Sequence, residues 1–228
     1  MAKPHLLAAA LLIGASTHAF AADAVVEDVV VVDSAYDWSG VYVGVQAGYG
    51  WGSNDFGYED DNVDFDSDGF VGGLTAGVNW QNGSFVYGLE ADISYSDVNG
   101  SQQDPGGPAP CHDEGCTADI EWFATGRARL GYAVDNFLPY VTGGFAVGRL
   151  EGTADLGACG FVSCAFDATE FGWTAGLGIE WGLTQNVSLK AEYLHIGFGT
   201  PDFSNDGGDA HVDSIDLDTV RVGLNYRF

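Results

Sequence analysis

The sequence predicts an all-β protein, an eight-stranded antiparallel transmembrane β-barrel with long outer loops and short periplasmic turns. Three observations carry that prediction. Eight segments alternate apolar and polar residues, the connections between them alternate between long and short, and nearly all the positive charges fall on polar strand faces. The composition agrees: 34 glycines in 228 residues and 13% aromatic residues favour strands and tight packing over helices. Seven Lys and Arg against 33 Asp and Glu leave a formal charge of −26, which excludes a nucleic-acid partner, because phosphate binding needs clustered cations.

The chain opens on "MAKPHLLAAALLIGASTHAFA", with one Lys, a short apolar run and small residues Ala19 and Ala21 before a cleavage point. This reads as a signal peptide over residues 1–21, too short to span a membrane as a helix. Residues 22–37, with the run "VVEDVVVV", are expected to form a periplasmic tether, and residues 38–228 the barrel.

The first segment, "GVYVGVQAGYGW", places Val41, Val43, Val45, Ala47, Tyr49 and Trp51 on one face. The second groups Phe70, Leu74, Ala76, Val78 and Trp80; the third, Phe85, Tyr87, Leu89, Ala91, Ile93 and Tyr95. In the fourth the apolar set is Ile120, Trp122, Ala124, Ala128, Leu130 and Tyr132. The fifth alternates least cleanly, with Val141, Phe145 and Val147 outward. The sixth gives Phe171, Trp173, Ala175, Leu177, Ile179 and Trp181, and the seventh Val187, Leu189, Ala191 and Tyr193. The eighth, "DTVRVGLNYRF", sets Val220, Val222, Leu224, Tyr226 and Phe228 against Arg221, Gly223, Asn225 and Arg227. Each run is about nine to thirteen residues, the length a tilted strand needs to cross a bilayer.

Long connections at residues 53–68, 98–119, 151–168 and 199–216 take turns with short ones at 81–84, 133–136 and 182–186. A water-soluble eight-stranded barrel would point its polar face outward. Here the polar faces are rich in Gly, Ser and Thr, as a narrow lumen requires, and aromatics sit at both ends of the apolar faces. The outer membrane is therefore the expected location, with its lipids as partners.

Beyond the leader the cations are Arg127, Arg129, Arg149, Lys190, Arg221 and Arg227, and all but Arg149 fall on polar faces. The same faces carry Glu90, Asp92, Glu121, Glu180 and Glu192. A charge facing lipid costs a few kcal/mol at the midplane, so these groups are expected to pair inside the barrel. Counting from the short turns brings Glu90 and Asp92 toward Arg127 and Arg129, Lys190 toward Glu180, and Arg221 toward Glu192.

"DFDSDG" spaces Asp64, Asp66 and Asp68 as a calcium loop does, but position twelve is Thr75 rather than Glu and a strand follows. These three remain a calcium candidate, and no resident cofactor or other metal is expected. Cys111 with Cys116, and Cys159 with Cys164, are local pairs in an oxidising compartment, and a disulfide within each loop is the favoured reading. Three connectivities are open, and four thiolates or a set including His112 could hold zinc. His195 is the lone strand histidine, and no His-x-Ser occurs, so no enzyme is expected. His195 and His211 are candidate axial ligands for haem.

Taken together, "YDWSGVYVGVQAGYGWG" at residues 36–52, "DGFVGGLTAGVNWQ" at 68–81, "LPYVTGGFAVG" at 138–148, "SLKAEYLHIGFG" at 188–199 and the Phe-terminated last strand resemble the small porin-like surface antigens of α-proteobacteria. That outer-membrane β-barrel family is related in architecture to the OmpA membrane domain. The resemblance implies that Tyr226 and Phe228 form the signal read by the outer-membrane insertion machinery. It also implies a structural protein and surface antigen; in a departure from OmpA itself, no peptidoglycan-binding domain is expected after the barrel. Low-conductance solute passage, or haem or other ligand binding at the surface, are the alternatives. A monomer is favoured.

Overall fold

The computed structural model describes residues 36–58, 61–102, 116–154, 164–198 and 210–228. Eight strands follow in chain order: β1 (Gly40–Tyr58), β2 (Asp61–Asn82), β3 (Phe85–Gln102), β4 (Cys116–Tyr132), β5 (Phe137–Ala154), β6 (Cys164–Gly182), β7 (Val187–Phe198) and β8 (Ala210–Arg227). Each pairs antiparallel with its neighbours, and β1 pairs with β8, so the sheet closes on itself and leaves no edge.

Alternation turns directly into two faces, because successive side chains of a strand point to opposite sides. Leu74 is 61% exposed on the outside, whereas its neighbour Thr75 is 3% exposed within. The outward wall is apolar, with Val45, Phe70, Leu89, Ile93, Phe145 and Leu177 all exposed. Aromatic pairs brace its lower rim, Phe85 against Tyr132 at 5.4 Å and Phe137 against Trp181 at 5.8 Å. Near its upper rim Trp51 lies 6.5 Å from Tyr193.

The short turns fix the register. Asn82 faces Phe85 across Gly83 and Ser84, and Gly83 takes a φ of +61°, which a two-residue hairpin needs at its first position. Asp135 has φ of +53° in the next short turn, a conformation Asp tolerates better than most residues.

The strands extend well past the membrane-length runs. β1 reaches Tyr58 and β2 begins at Asp61, so most of the expected first loop is paired strand. Likewise, β5 runs to Ala154 and β8 begins at Ala210. There backbone pairing continues where apolar alternation no longer marks it.

β4 departs from strict alternation near its upper end. Ile120 pairs with Leu150 and Trp122 with Arg149, so Glu121 is the extra residue of a bulge. The bulge turns Ile120 inward, to 5% exposed, against its expected place on the lipid face.

Candidate functional site

The lumen is filled at three levels, and the middle one is ionic. Arg127, Arg129, Lys190 and Arg221 meet Glu90, Asp92, Glu180 and Glu192 there, with none of these side chains more than 4% exposed. Four cations and four carboxylates leave no net formal charge.

Register brings two pairs together. Arg127 lies opposite Glu90, with Nη2 2.5 Å from Oε1, and Arg221 lies opposite Glu192 at the same distance. Other pairs bridge walls that are not neighbours. Arg127 is 3.0 Å from Glu192, Arg221 is 3.0 Å from Asp92, and Arg129 is 2.8 Å from Glu180. Arg127 also reaches Asp92 at 2.8 Å. Lys190 is the register partner of Glu180, yet its Nζ extends to Glu90 Oε1 at 3.1 Å. The long stem carries the ammonium past its neighbour, and Glu180 is held by Arg129 instead.

Each carboxylate also accepts from a neutral donor that charge counting overlooks. Tyr42 donates to Glu90 at 2.6 Å, Thr125 to Asp92 at 2.5 Å, and Tyr140 to Glu192 at 2.8 Å. Ser188 and Asn225 both donate to Glu180 Oε1, at 2.5 and 3.0 Å. The Arg129 guanidinium stacks 4.0 Å over the Tyr140 ring. The signal was available: Tyr42 and Tyr140 are large side chains on glycine-rich inward faces, beside Gly44 and Gly48 in β1 and Gly144 and Gly148 in β5. Glycine makes their room, since a methyl at Gly77 would collide with the Tyr42 hydroxyl, and one at Gly178 with that of Tyr140.

Above this layer the inward side chains turn apolar. Val71, Val98, Ile120, Phe123, Leu150, Leu194, Ile196, Phe198 and Leu217 are all buried. Around Gly50 a methyl would lie 3.1–3.2 Å from Val98, Leu217 and Val71 at once. Below it, Tyr36 and Trp38 pack with Val86 and Leu138 in the lower mouth. Burial raises the Tyr36 hydroxyl above the ordinary phenol range despite the nearby Arg227, so it stays a neutral donor to the Thr184 carbonyl at 2.9 Å. Tyr36 thus lies within the mouth, although it falls in the stretch assigned to the tether.

Two residues expected in the charge network lie elsewhere. Glu121, at the bulge, faces outward and sits 3.5 Å from Arg149, with both side chains well exposed. Arg227 points inward but below the network, donating to the Gln185 carbonyl at 2.6 Å and stacking on Tyr36 and Trp38.

The calcium candidate falls within a strand. Asp64, Asp66 and Asp68 belong to β2, and an extended strand spreads alternate side chains along a line instead of wrapping them around an ion. Asp66 and Asp68 are exposed, and Asp68 accepts a short hydrogen bond from Tyr49. Among the described residues no group of three or more His, Cys, Asp or Glu converges as metal ligands. His195 places Nδ1 2.8 Å from Asp218 and packs 5.1 Å from Trp173 at the upper rim. The side chain of His211 lies outside the described residues, as do Cys111, His112 and Cys159; of Cys116 and Cys164 only the backbone is described. The signal peptide also lies outside them. Tyr226 and Phe228 both face outward, edge to face at 5.2 Å.

Comparison with known proteins places this architecture. The family model described as an outer membrane protein beta-barrel domain matches residues 7–228. The 31 kDa outer-membrane immunogenic protein of Brucella melitensis is 36% identical over 230 residues, covering 93% of this chain and 95% of the relative. The 22 kDa outer membrane protein of Rhizobium leguminosarum bv. viciae is 31% identical over 197 residues, covering 86% and 81%. Among solved structures, Neisserial surface protein A aligns at a TM-score of 0.44 and 15% identity, over 83% of this chain and 98% of that one.

Proposed function

The chain belongs to the outer-membrane protein β-barrel family, and on that premise we propose that it is a structural, surface-exposed barrel with a closed lumen, supporting the envelope without catalysis. It is an outer-membrane protein, and its Brucella relatives are named for their immunogenicity rather than for a reaction. In this reading the apolar wall meets outer-membrane lipid, the insertion machinery reads Tyr226 and Phe228, and the protein works as a monomer.

The observation that carries closure is the bridging of the lumen by Arg127 to Glu192, Arg221 to Asp92 and Arg129 to Glu180, with apolar side chains packed above. An eight-stranded interior is just wide enough for side chains to fill. Swelling of proteoliposomes in small neutral sugars tests the proposal. The expected rate is that of protein-free liposomes. Swelling that slows with increasing solute size would make the protein a small-solute porin instead.

A further inference from the structure

The chain's first and last strands meet at the β1–β8 seam, which runs from Tyr42 opposite Arg227 to Tyr58 opposite Ala210. Every other strand pair joins sequence neighbours, so each can form as a local hairpin. The seam alone must bring the two ends of the barrel together, and long-range closure carries the largest entropic cost.

At the lower end of that seam sits an unusual construction. Tyr36 and Trp38, just before β1, lie 4.5 Å apart, and Trp38 is fully buried. The Arg227 guanidinium, at the end of β8, stacks 4.7 Å from the Tyr36 ring and 5.6 Å from that of Trp38. One side of this clamp thus comes from each end of the barrel sequence. Its cation is largely withdrawn from water, where such stacking is strongest.

The segment is also tied to separate walls of the mouth. Trp38 donates its backbone N–H to Gln81 Oε1 at 2.7 Å, and the Gln81 N–H donates to Ser39 Oγ at 3.1 Å. Tyr36 donates to Thr184 between β6 and β7, while Asn186 Nδ2 donates to the Arg227 carbonyl at 2.8 Å. Gly40 then makes the turn into β1 at φ of +131°, a conformation that side chains rarely adopt. A methyl there would also lie 3.2 Å from Arg227 Cγ and from the Phe228 carbonyl oxygen.

We propose that residues 36–40 form a latch that locks the β1–β8 seam through the stacking of Tyr36 and Trp38 on Arg227. The latch goes beyond the closed-lumen reading, since a conducting barrel could carry it equally well.

Hydrogen–deuterium exchange of the full-length mature protein, folded in detergent micelles, tests it. Arg227→Met keeps the apolar stem and removes the charge. It should speed exchange of the lower amides of β1 and β8 by about tenfold, equivalent to about 1.4 kcal/mol of local opening. β3, β4 and β5 should be unchanged. Arg227→Lys should recover part of the protection, and Trp38→Ala should reproduce the pattern. Trp80→Ala, which removes a lipid-facing aromatic, should leave the seam protected. If Trp38→Ala does not fold, Arg227→Met and its Lys counterpart carry the test unaided. No change at the seam, or equal acceleration in all eight strands, would overturn the latch.

Discussion

Lys190 stands directly opposite Glu180 in the β6–β7 register, yet its ammonium bonds to Glu90 on β3, 3.1 Å away. The ion pairs therefore form a web across the lumen instead of a ladder along it. Glu90 is its hub, within 2.5 Å of Arg127 and 3.1 Å of Lys190, with the Tyr42 hydroxyl at 2.6 Å.

Because Glu90 neutralises several buried groups, removing its charge strands them. Breaking a buried pair typically costs about 3–5 kcal/mol, and any water admitted to the lumen lowers that. Glu90→Gln should destabilise the barrel by about 2–4 kcal/mol, read from the urea midpoint in detergent. Glu121→Gln, on the exposed Arg149 pair, should change it by less than about 0.5 kcal/mol.

The web has a connectivity that double-mutant cycles can read. Lys190→Met with Glu90→Gln should couple by about 1–3 kcal/mol. The same cycle with Glu180→Gln should give a clearly smaller term, despite the shorter sequence separation. Equal couplings would restore the ladder arrangement.

The tyrosines are structural parts of the site. Tyr140→Phe deletes one hydroxyl whose acceptor is the charged Glu192, and hydrogen bonds to charged groups contribute about 1.5–3 kcal/mol. A loss in that range is expected in the same unfolding assay, whereas Tyr132→Phe on the outer wall should be nearly silent.

Apolar packing above the web adds its own share. Leu194 is fully buried, and Leu194→Ala should cost about 2–5 kcal/mol through lost contacts and the cavity left behind. Leu177→Ala, facing lipid, should cost less when measured in bilayers.

Much of this is legible in the sequence, for specific reasons. Period two assigns Leu74 and Thr75 to opposite faces, and counting up from the two short turns, at Gly83 below β3 and at Asp135 below β4, sets Glu90 against Arg127. Glu121 escaped because a bulge adds one residue without a sequence mark, reversing the faces beyond it. Lys190 escaped because register sets where a Cα lies, while a four-carbon stem decides where its charge goes. Parity alone groups Arg227 with the network, because it locates a side chain's face but not its depth. The apolar upper layer has a related cause: Leu194, at the upper end of the seventh segment, and Ile196 just past it face inward, where the composition of the polar faces points to Gly, Ser and Thr.

The central claim is that this web and its cover close the lumen. Single-channel recording of the folded full-length protein in planar bilayers, in molar potassium chloride, tests it most directly. A quiet baseline is expected, with openings appearing when Glu90→Gln and Leu194→Ala are combined. Large, long-lived ohmic openings of the unaltered protein would contradict it.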